Sequence, residues 1–272
     1  MQINFLNPYI ICILGLLIGS FLNVIIYRIP RGLSFIFPRS KCVYCQSILK
    51  WYDLIPIFSW IKLGGKCWRC QSKISIRYPL VELLTSFLFI ISINRITDYQ
   101  GENISLFSHL MSLVLISILI SISFIDIDNL VIPNSLLTIG FLSGLMNVFV
   151  EDRSFSAVYN YLFSAIIILI IFSFISIFGE IIFSKPIFGL GDAKLFSMTA
   201  CWMGFSGFEL IALLSVLFAG LFSLSGLLLG LLKRGQYIPY GPFICLATGF
   251  VWIWGVPFWV GKLGTMLWWK YL

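Results

Sequence analysis

Apolar stretches long enough to cross a bilayer recur along this chain, near residues 9–27, 79–96, 107–125, 135–150, 158–183, 209–232 and 238–258, with a shorter, weaker one at 194–207. A span needs about 20 predominantly apolar residues to cross a hydrocarbon layer of about 30 Å. Inside that layer every backbone N–H and C=O must be satisfied within the protein, and open strands fail that condition. The runs therefore read as helices, and the fold class is expected to be an all-α polytopic membrane protein with about eight transmembrane helices. Composition agrees: 60% of the 272 residues are hydrophobic and 11% charged, too few to coat a soluble globule. The first run lacks a basic region before it and a small-residue cleavage site after it, so it reads as a retained helix rather than a signal peptide.

The formal charge of +7 could suggest nucleic acid, but its distribution argues otherwise. Ten Lys or Arg residues face the single acid Asp53 between Arg28 and Tyr78, giving that segment a net +9. Basic loops stay in the cytoplasm. Counting spans from that anchor places the N-terminus outside and the loops near 126–134, 184–194 and 233–237 inside, with Lys185, Lys194, Lys233 and Arg234. Asp98, Glu102, Glu151 and Asp152 fall outside. Two lysines, Lys262 and Lys270, land against the rule. The organisation expected is a first transmembrane helix (1–27), a cytoplasmic loop (28–78) and a transmembrane domain (79–272), with no internal repeat.

The loop of 51 residues is too long for a simple connection, and its composition, with Pro30, Pro38, Pro56 and several glycines, would not build a large apolar core. Four of the seven cysteines stand in it as two C-x-x-C knuckles, Cys42 with Cys45 and Cys67 with Cys70, separated by 21 residues. That spacing is close to that of a zinc site, whose tetrahedral thiolate shell can fold a module that has no core of its own. A reducing cytoplasmic face disfavours the alternative of two disulfides. Cys12, Cys201 and Cys245 read as buried small hydrophobes.

Ionisable residues within spans cost about 2.5 to 3.5 kcal/mol at mid-helix and ask for a reason. Glu82 has a bland one, in the first turn of the second span, where a helix N-terminus favours negative charge. Asp126 and Asp128 close the third span, and Asp192 opens the sixth within Phe188 to Phe196, FGLGDAKLF. Both clusters fall at the cytoplasmic boundary. Two carboxylates that meet in a low-dielectric cleft share one proton, leaving one as base toward a water, which is aspartic-protease chemistry. Gly189 and Gly191 would let the backbone turn sharply and approach an extended peptide. Lys194 either snorkels to the interface or biases which carboxylate is ionised. Against these stand plain structural readings: Asp192 as a helix N-cap, and the pair 126 and 128 as a solvated loop before Pro133. The only histidine, His109, lies near the opposite face, so neither a Ser-His-Asp triad nor an H-E-x-x-H site can be assembled. A Ser-Lys dyad with Lys194 remains open.

The ordered motifs resemble the bacterial type IV prepilin peptidases, membrane aspartic proteases with a G-x-G-D motif. They are GSFLNVIIYRIP (Gly19 to Pro30), the two knuckles, GGKC (Gly64 to Cys67), IRYPLVE (Ile76 to Glu82), FID (Phe124 to Asp126) followed by IPN, GLGDAK, and IPYGP (Ile238 to Pro242). The resemblance spans nearly the whole chain and implies Asp126 and Asp192 as the catalytic aspartates, a choice over Asp128 that physical reasoning leaves open. It implies cleavage of the basic leader of prepilins or pseudopilins after a glycine on the cytoplasmic side of the inner membrane, serving type IV pili or type II secretion. The tetracysteine loop further implies N-methylation of the new N-terminus with S-adenosylmethionine. No G-x-G-x-x-G motif marks a donor site, and Gly65 and Lys66 are neighbourhood candidates only. The chain departs from the family at Asn134, where Asp is usual, and at Asp53 and Leu54, where Glu-Asn is common. The +9 loop should repel a basic leader, so anionic lipid headgroups are its natural partner. The rival class is a proton- or cation-coupled transporter using the same acids, which lacks the repeated halves such folds carry; a membrane anchor displaying a zinc module leaves the paired acids unexplained.

Overall fold

A computed structural model describes residues 7–100, 106–183 and 188–259, without side chains for 95–100 and 183. The described residues are mostly helical and contain no strand, only two isolated antiparallel bridges. The chain divides into two compact units, Met1–Asn94 and Arg95–Leu272. Lys185, Glu102, Lys262 and Lys270 lie outside the described residues, as does the side chain of Asp98.

In the first unit, α1 (Pro8–Arg28) and α3 (Arg77–Gln100) flank the loop, which contains the short α2 (Phe58–Lys62). Asn7 caps α1, its side chain accepting the Tyr9 N–H at 3.0 Å, and Pro8 fills the first helical position. Gly15 and Gly19 lie one turn apart on α1, and a Cβ on either would collide with the α3 backbone at Ser86 or Glu82. In lipid, where tails are as apolar as side chains, such small residues let two helices approach closely enough for dispersion and hydrogen bonds to act. Ser86 accordingly donates to the Cys12 carbonyl at 3.0 Å and Asn23 to that of Tyr78 at 3.1 Å. Cys12 is thus half-buried and receives the Ser86 hydroxyl at both its carbonyl and its sulfur, not the fully buried filler expected.

The second unit packs α4 (Leu106–Asn129), α5 (Asn134–Asp152), α6 (Phe155–Phe183), α7 (Leu190–Leu228) and α8 (Gly241–Trp254). Six described helices, α1 and α3 to α7, are long and apolar enough to cross a membrane, and α8 is a shorter apolar helix. The 39-residue α7 is two helices: at Gly204 the backbone takes φ 65, ψ −170, a region open in practice only to glycine. An unbroken helix would separate Phe196 and Phe208 by about 18 Å, yet their ring centroids are 5.4 Å apart. The chain therefore doubles back, and arms 190–203 and 205–228 form a hairpin. Counting both arms gives eight apolar helices among the described residues, consistent with the expectation of about eight, but the short span begins and ends about four residues earlier than the sequence suggests.

The first arm is sealed against α5 at two glycines. A Cβ at Gly140 would strike the Met198 sulfur, and one at Gly144 would lie 2.8 Å from the Trp202 indole. Trp202 Nε1 donates to the Gly140 carbonyl at 2.7 Å. Replacing Gly204 by valine should cost about 1 to 3 kcal/mol, the strain of placing a side chain at that φ and ψ. Thermal unfolding of Gly204→Val in detergent measures it; an unchanged Tm would contradict the hairpin.

Candidate active site

Three helix ends meet at one end of the second unit. Asp126 stands in the last turn of α4, 5% exposed. Its Oδ2 accepts the backbone N–H of Gly241 at 3.0 Å, the first residue of α8. That N–H is one of the four that a helix start leaves without an intrahelical partner, and the positive end of the α8 dipole points the same way. A side chain at 241 would lie 2.6 Å from the same oxygen, so only glycine admits the carboxylate. Asp128, two residues on, is exposed. Burial therefore separates two acids that their position in sequence left equivalent.

Asp192 occupies the first turn of α7 and is 9% exposed. It does not cap the helix, because the N-cap is Gly189, and its carboxylate turns back over that residue, where a Cβ would lie 2.9 Å from Oδ2. Gly191 makes room for Ile132, whose Cβ a side chain there would approach to 3.3 Å. Neither glycine has a left-handed φ; what they provide is space, not the sharp turn expected from the sequence. Ser176 on α6 anchors the approach, its hydroxyl donating to the Phe188 carbonyl at 2.7 Å.

Ile132 touches both sides of this arrangement, since a Cβ on Gly241 would also lie 3.3 Å from its Cδ1. The charge of Asp126 is felt at Asp192, and burial, followed by the charges of Asp192 and Asp126, pushes the Tyr237 phenol up. A cavity of about 620 Å³ opens beside Asp192, lined by Phe188, Gly189, Phe196, Tyr237 and Tyr240 among others. Tyr240 is steadied by a 2.8 Å hydrogen bond with Ser215. Sequence reasoning missed Ile132, Tyr237, Tyr240 and the role of Gly241. The signal for Gly241 was present in IPYGP, where Pro242 marks a helix start and the glycine before it a place where something comes close.

Lys194 is exposed and its ammonium donates to Asn134 Oδ1 at 2.9 Å. This bond goes to an amide rather than a serine, which leaves the Ser-Lys dyad without its serine. It also explains the departure at 134, since an asparagine still accepts from the lysine. His109, 17 residues before Asp126 on α4 and buried, is about 26 Å along the helix from it.

In the first unit the four cysteine sulfurs of Cys42, Cys45, Cys67 and Cys70 all lie within 4.8 Å of one another. Cys42 and Cys70 sulfurs are 3.8 Å apart, which matches the edge of a tetrahedron with zinc to sulfur distances of about 2.3 Å. The knuckles are copies of each other. Cys42 and Cys67 each donate N–H to the serine five residues on, at 2.9 Å, and Gln46 and Gln71 turn back at φ 55 and 58. The underlying repeat, KCVYCQS and KCWRCQS, corrects the expectation of no internal repeat; seven residues are short enough to escape notice. The Ser72 hydroxyl, and then its backbone, hold the Cys70 thiol down to about 6, which favours the thiolate form that a metal would require. Gly65 has φ 66 and its missing Cβ admits the Trp60 ring, whose Nε1 donates to the Ile74 carbonyl at 3.2 Å.

Glu82 is not in the first turn of its helix, which starts at Arg77. It is buried, and its Oε2 accepts the N–H of Ile57 at 2.7 Å, pinning a loop residue that has φ 60. The role is a tether, not dipole compensation.

These features define a polytopic membrane protein with a buried pair of carboxylates and a cluster of four cysteines. The chain matches the bacterial peptidase A24 N-terminal domain over residues 13–96 and the type IV leader peptidase family over residues 113–224, and it belongs to the type IV leader peptidase family. It is 36% identical over 220 residues to a prepilin leader peptidase/N-methyltransferase of Myxococcus xanthus, covering 81% of this chain and 61% of that one. It is 33% identical over 273 residues to the protein of the same name from Legionella pneumophila, covering 90% of this chain and 91% of that one. A type 4 prepilin-like proteins leader peptide-processing enzyme of Escherichia coli is 31% identical over 263 residues, covering 89% and 91%. No solved structure matches the chain.

Glu82→Ala should remove the acceptor of the Ile57 N–H at a cost of about 1 to 3 kcal/mol. Hydrogen exchange of the segment 55–62 is expected to accelerate in that variant, and unchanged protection there would rule out the tether.

Proposed function

We propose that this chain is an integral-membrane aspartic endopeptidase that removes the leader peptide of type IV prepilins and pseudopilins, cutting after a glycine, and then N-methylates the new N-terminus. The observation that carries the reading is the convergence of Asp126 and Asp192, two buried carboxylates on separate helix ends, the charge of the first reaching the second, beside a cavity large enough for a peptide segment. Like charges held close in a low-dielectric site share one proton. The ionised member takes a proton from a water, the water oxygen attacks the scissile carbonyl, and the protonated member donates to the carbonyl oxygen. Collapse of the tetrahedral intermediate passes a proton to the leaving amine and restores the shared proton. Gly241 fixes the orientation of the Asp126 carboxylate, and the aromatic walls keep bulk water from competing.

Cys42, Cys45, Cys67 and Cys70 would hold a structural zinc ion, a reading supported by the all-thiol donor set and its sulfur spacing. S-adenosylmethionine, when bound, supplies an electrophilic methyl group. A cavity of about 390 Å³ in the loop, lined by Arg39, Lys50, Trp51 and Tyr52 with Ile48 and Leu49, is the candidate place for such a donor, with two rings for a purine face. The net +9 of the loop supports a location in the inner membrane with the peptidase site at the cytoplasmic face and anionic lipids as neighbours. None of the relatives named above is a transporter.

Asp126→Asn and Asp192→Asn should each lower kcat for prepilin cleavage by at least about 10³-fold while Tm in detergent stays within a few degrees. Mass spectrometry of a prepilin incubated with the enzyme and S-adenosylmethionine reads both products; cleavage at the wild-type rate by either variant would refute the carboxylate pair. Elemental analysis of the purified chain should give one zinc per molecule. Replacing all four cysteines by serine should abolish zinc and methylation before cleavage suffers, and retention of zinc would refute the site.

A further inference from the structure

We infer that residues 33–37, Leu-Ser-Phe-Ile-Phe, form a rigid apolar wedge that enters the anionic leaflet of the membrane beside the end of α1. Four of its side chains are exposed: Leu33 at 51%, Phe35 at 49%, Ile36 at 65% and Phe37 at 75%. An apolar tip of this kind in water is normally covered by something. The loop is built to hold that shape. Arg28, buried at the end of α1, donates one guanidinium nitrogen to the Ser34 carbonyl at 2.9 Å and another to the Pro38 carbonyl at 2.7 Å, so one side chain staples both ends of the tip. The Ser34 hydroxyl accepts the N–H groups of Ile36 and Phe37 at 3.3 and 3.4 Å, Leu33 donates to the Arg28 carbonyl at 3.1 Å, and Pro38 has no N–H to satisfy. These bonds pair part of the tip's backbone, and each group paired internally lowers the cost of leaving water for the edge of a bilayer.

Position and charge identify the occupant. The wedge begins two residues beyond Arg31, where the candidate span Pro8–Arg31, of mean hydropathy 2.5, ends, so it emerges at the membrane boundary. Gly32, at φ 66, ends the short turn Ile29–Arg31 and redirects the chain away from the α1 axis. Arg31, Arg39 and Lys41 flank the tip and are exposed, and no acid occurs in the chain before Asp53. An apolar point ringed by cations and free of carboxylates matches an anionic lipid surface, with rings at acyl depth and cations among phosphates. A second copy of the chain would bring the same cations face to face. The inference rests on the membrane reading of α1 and not on the peptidase chemistry.

The test uses the full-length chain in nanodiscs of phosphatidylcholine with phosphatidylglycerol. A benzophenone amino acid replaces Phe37 in one preparation and Tyr44, an exposed knuckle residue, in another. After irradiation, intact mass spectrometry should show lipid adducts at position 37 several-fold above those at 44, falling in nanodiscs of phosphatidylcholine alone. Adding Arg28→Met should lower the yield at 37, with the four-cysteine module's metal content reporting that the unit remains folded. Adducts of two chains, adducts to a co-reconstituted prepilin, or equal lipid yield at 37 and 44 would each overturn the wedge. Prepilin cleavage by the same preparations is read separately, so failure of the wedge and failure of the peptidase reading remain distinct.

Discussion

The hydrogen bond from Gly241 to Asp126 is the contact on which the candidate site is built. A carboxylate at the edge of a membrane needs donors, and a helix start has unpaired N–H groups; joining them satisfies both without bringing in another side chain. That single bond fixes the end of α4 to the beginning of α8, and Ile132 then spaces Asp126 from the turn that carries Asp192. The glycines at 189, 191 and 241 all mark places where a carboxylate or Ile132 occupies the volume of a missing Cβ. The site is thus specified as much by what these positions lack as by the acids themselves.

The first unit solves a different problem. Many of its loop's large apolar residues stay exposed rather than forming a core, so order comes from point attachments: four thiols around a common centre, the buried Arg28 guanidinium on two carbonyls, Glu82 on the Ile57 N–H, and Trp60 packed into the space above Gly65. Each satisfies a backbone or thiol group that burial would otherwise make costly. Close packing at Gly15 and Gly19 brings α1 and α3 together so that these attachments have fixed ends.

Much of this was legible from residue order because lipid permits few backbone solutions. Apolar run length located α1 and α4 to within a few residues, and C-x-x-C spacing located the thiol cluster. What hydropathy could not show was direction. Gly204 looks like one of many interrupting glycines, and only its dihedral angles reveal a reversal that brings Phe196 against Phe208. Asp126 and Asp128 were equivalent in sequence because pattern alone does not report which face of a helix end is covered. Glu82 and Gly241 act through residues 25 and 115 positions away, and such partners leave no local trace.

The doubled knuckle carries a consequence for how the module would acquire a metal ion. Each copy contributes two sulfurs, half of a tetrahedral shell, and separate halves would have to find each other by diffusion in the plane of the membrane. Joining them through a short connector raises their effective concentration to the millimolar range or above. Loading then becomes independent of how many molecules the bilayer holds, and a sparse population can mature as completely as a crowded one.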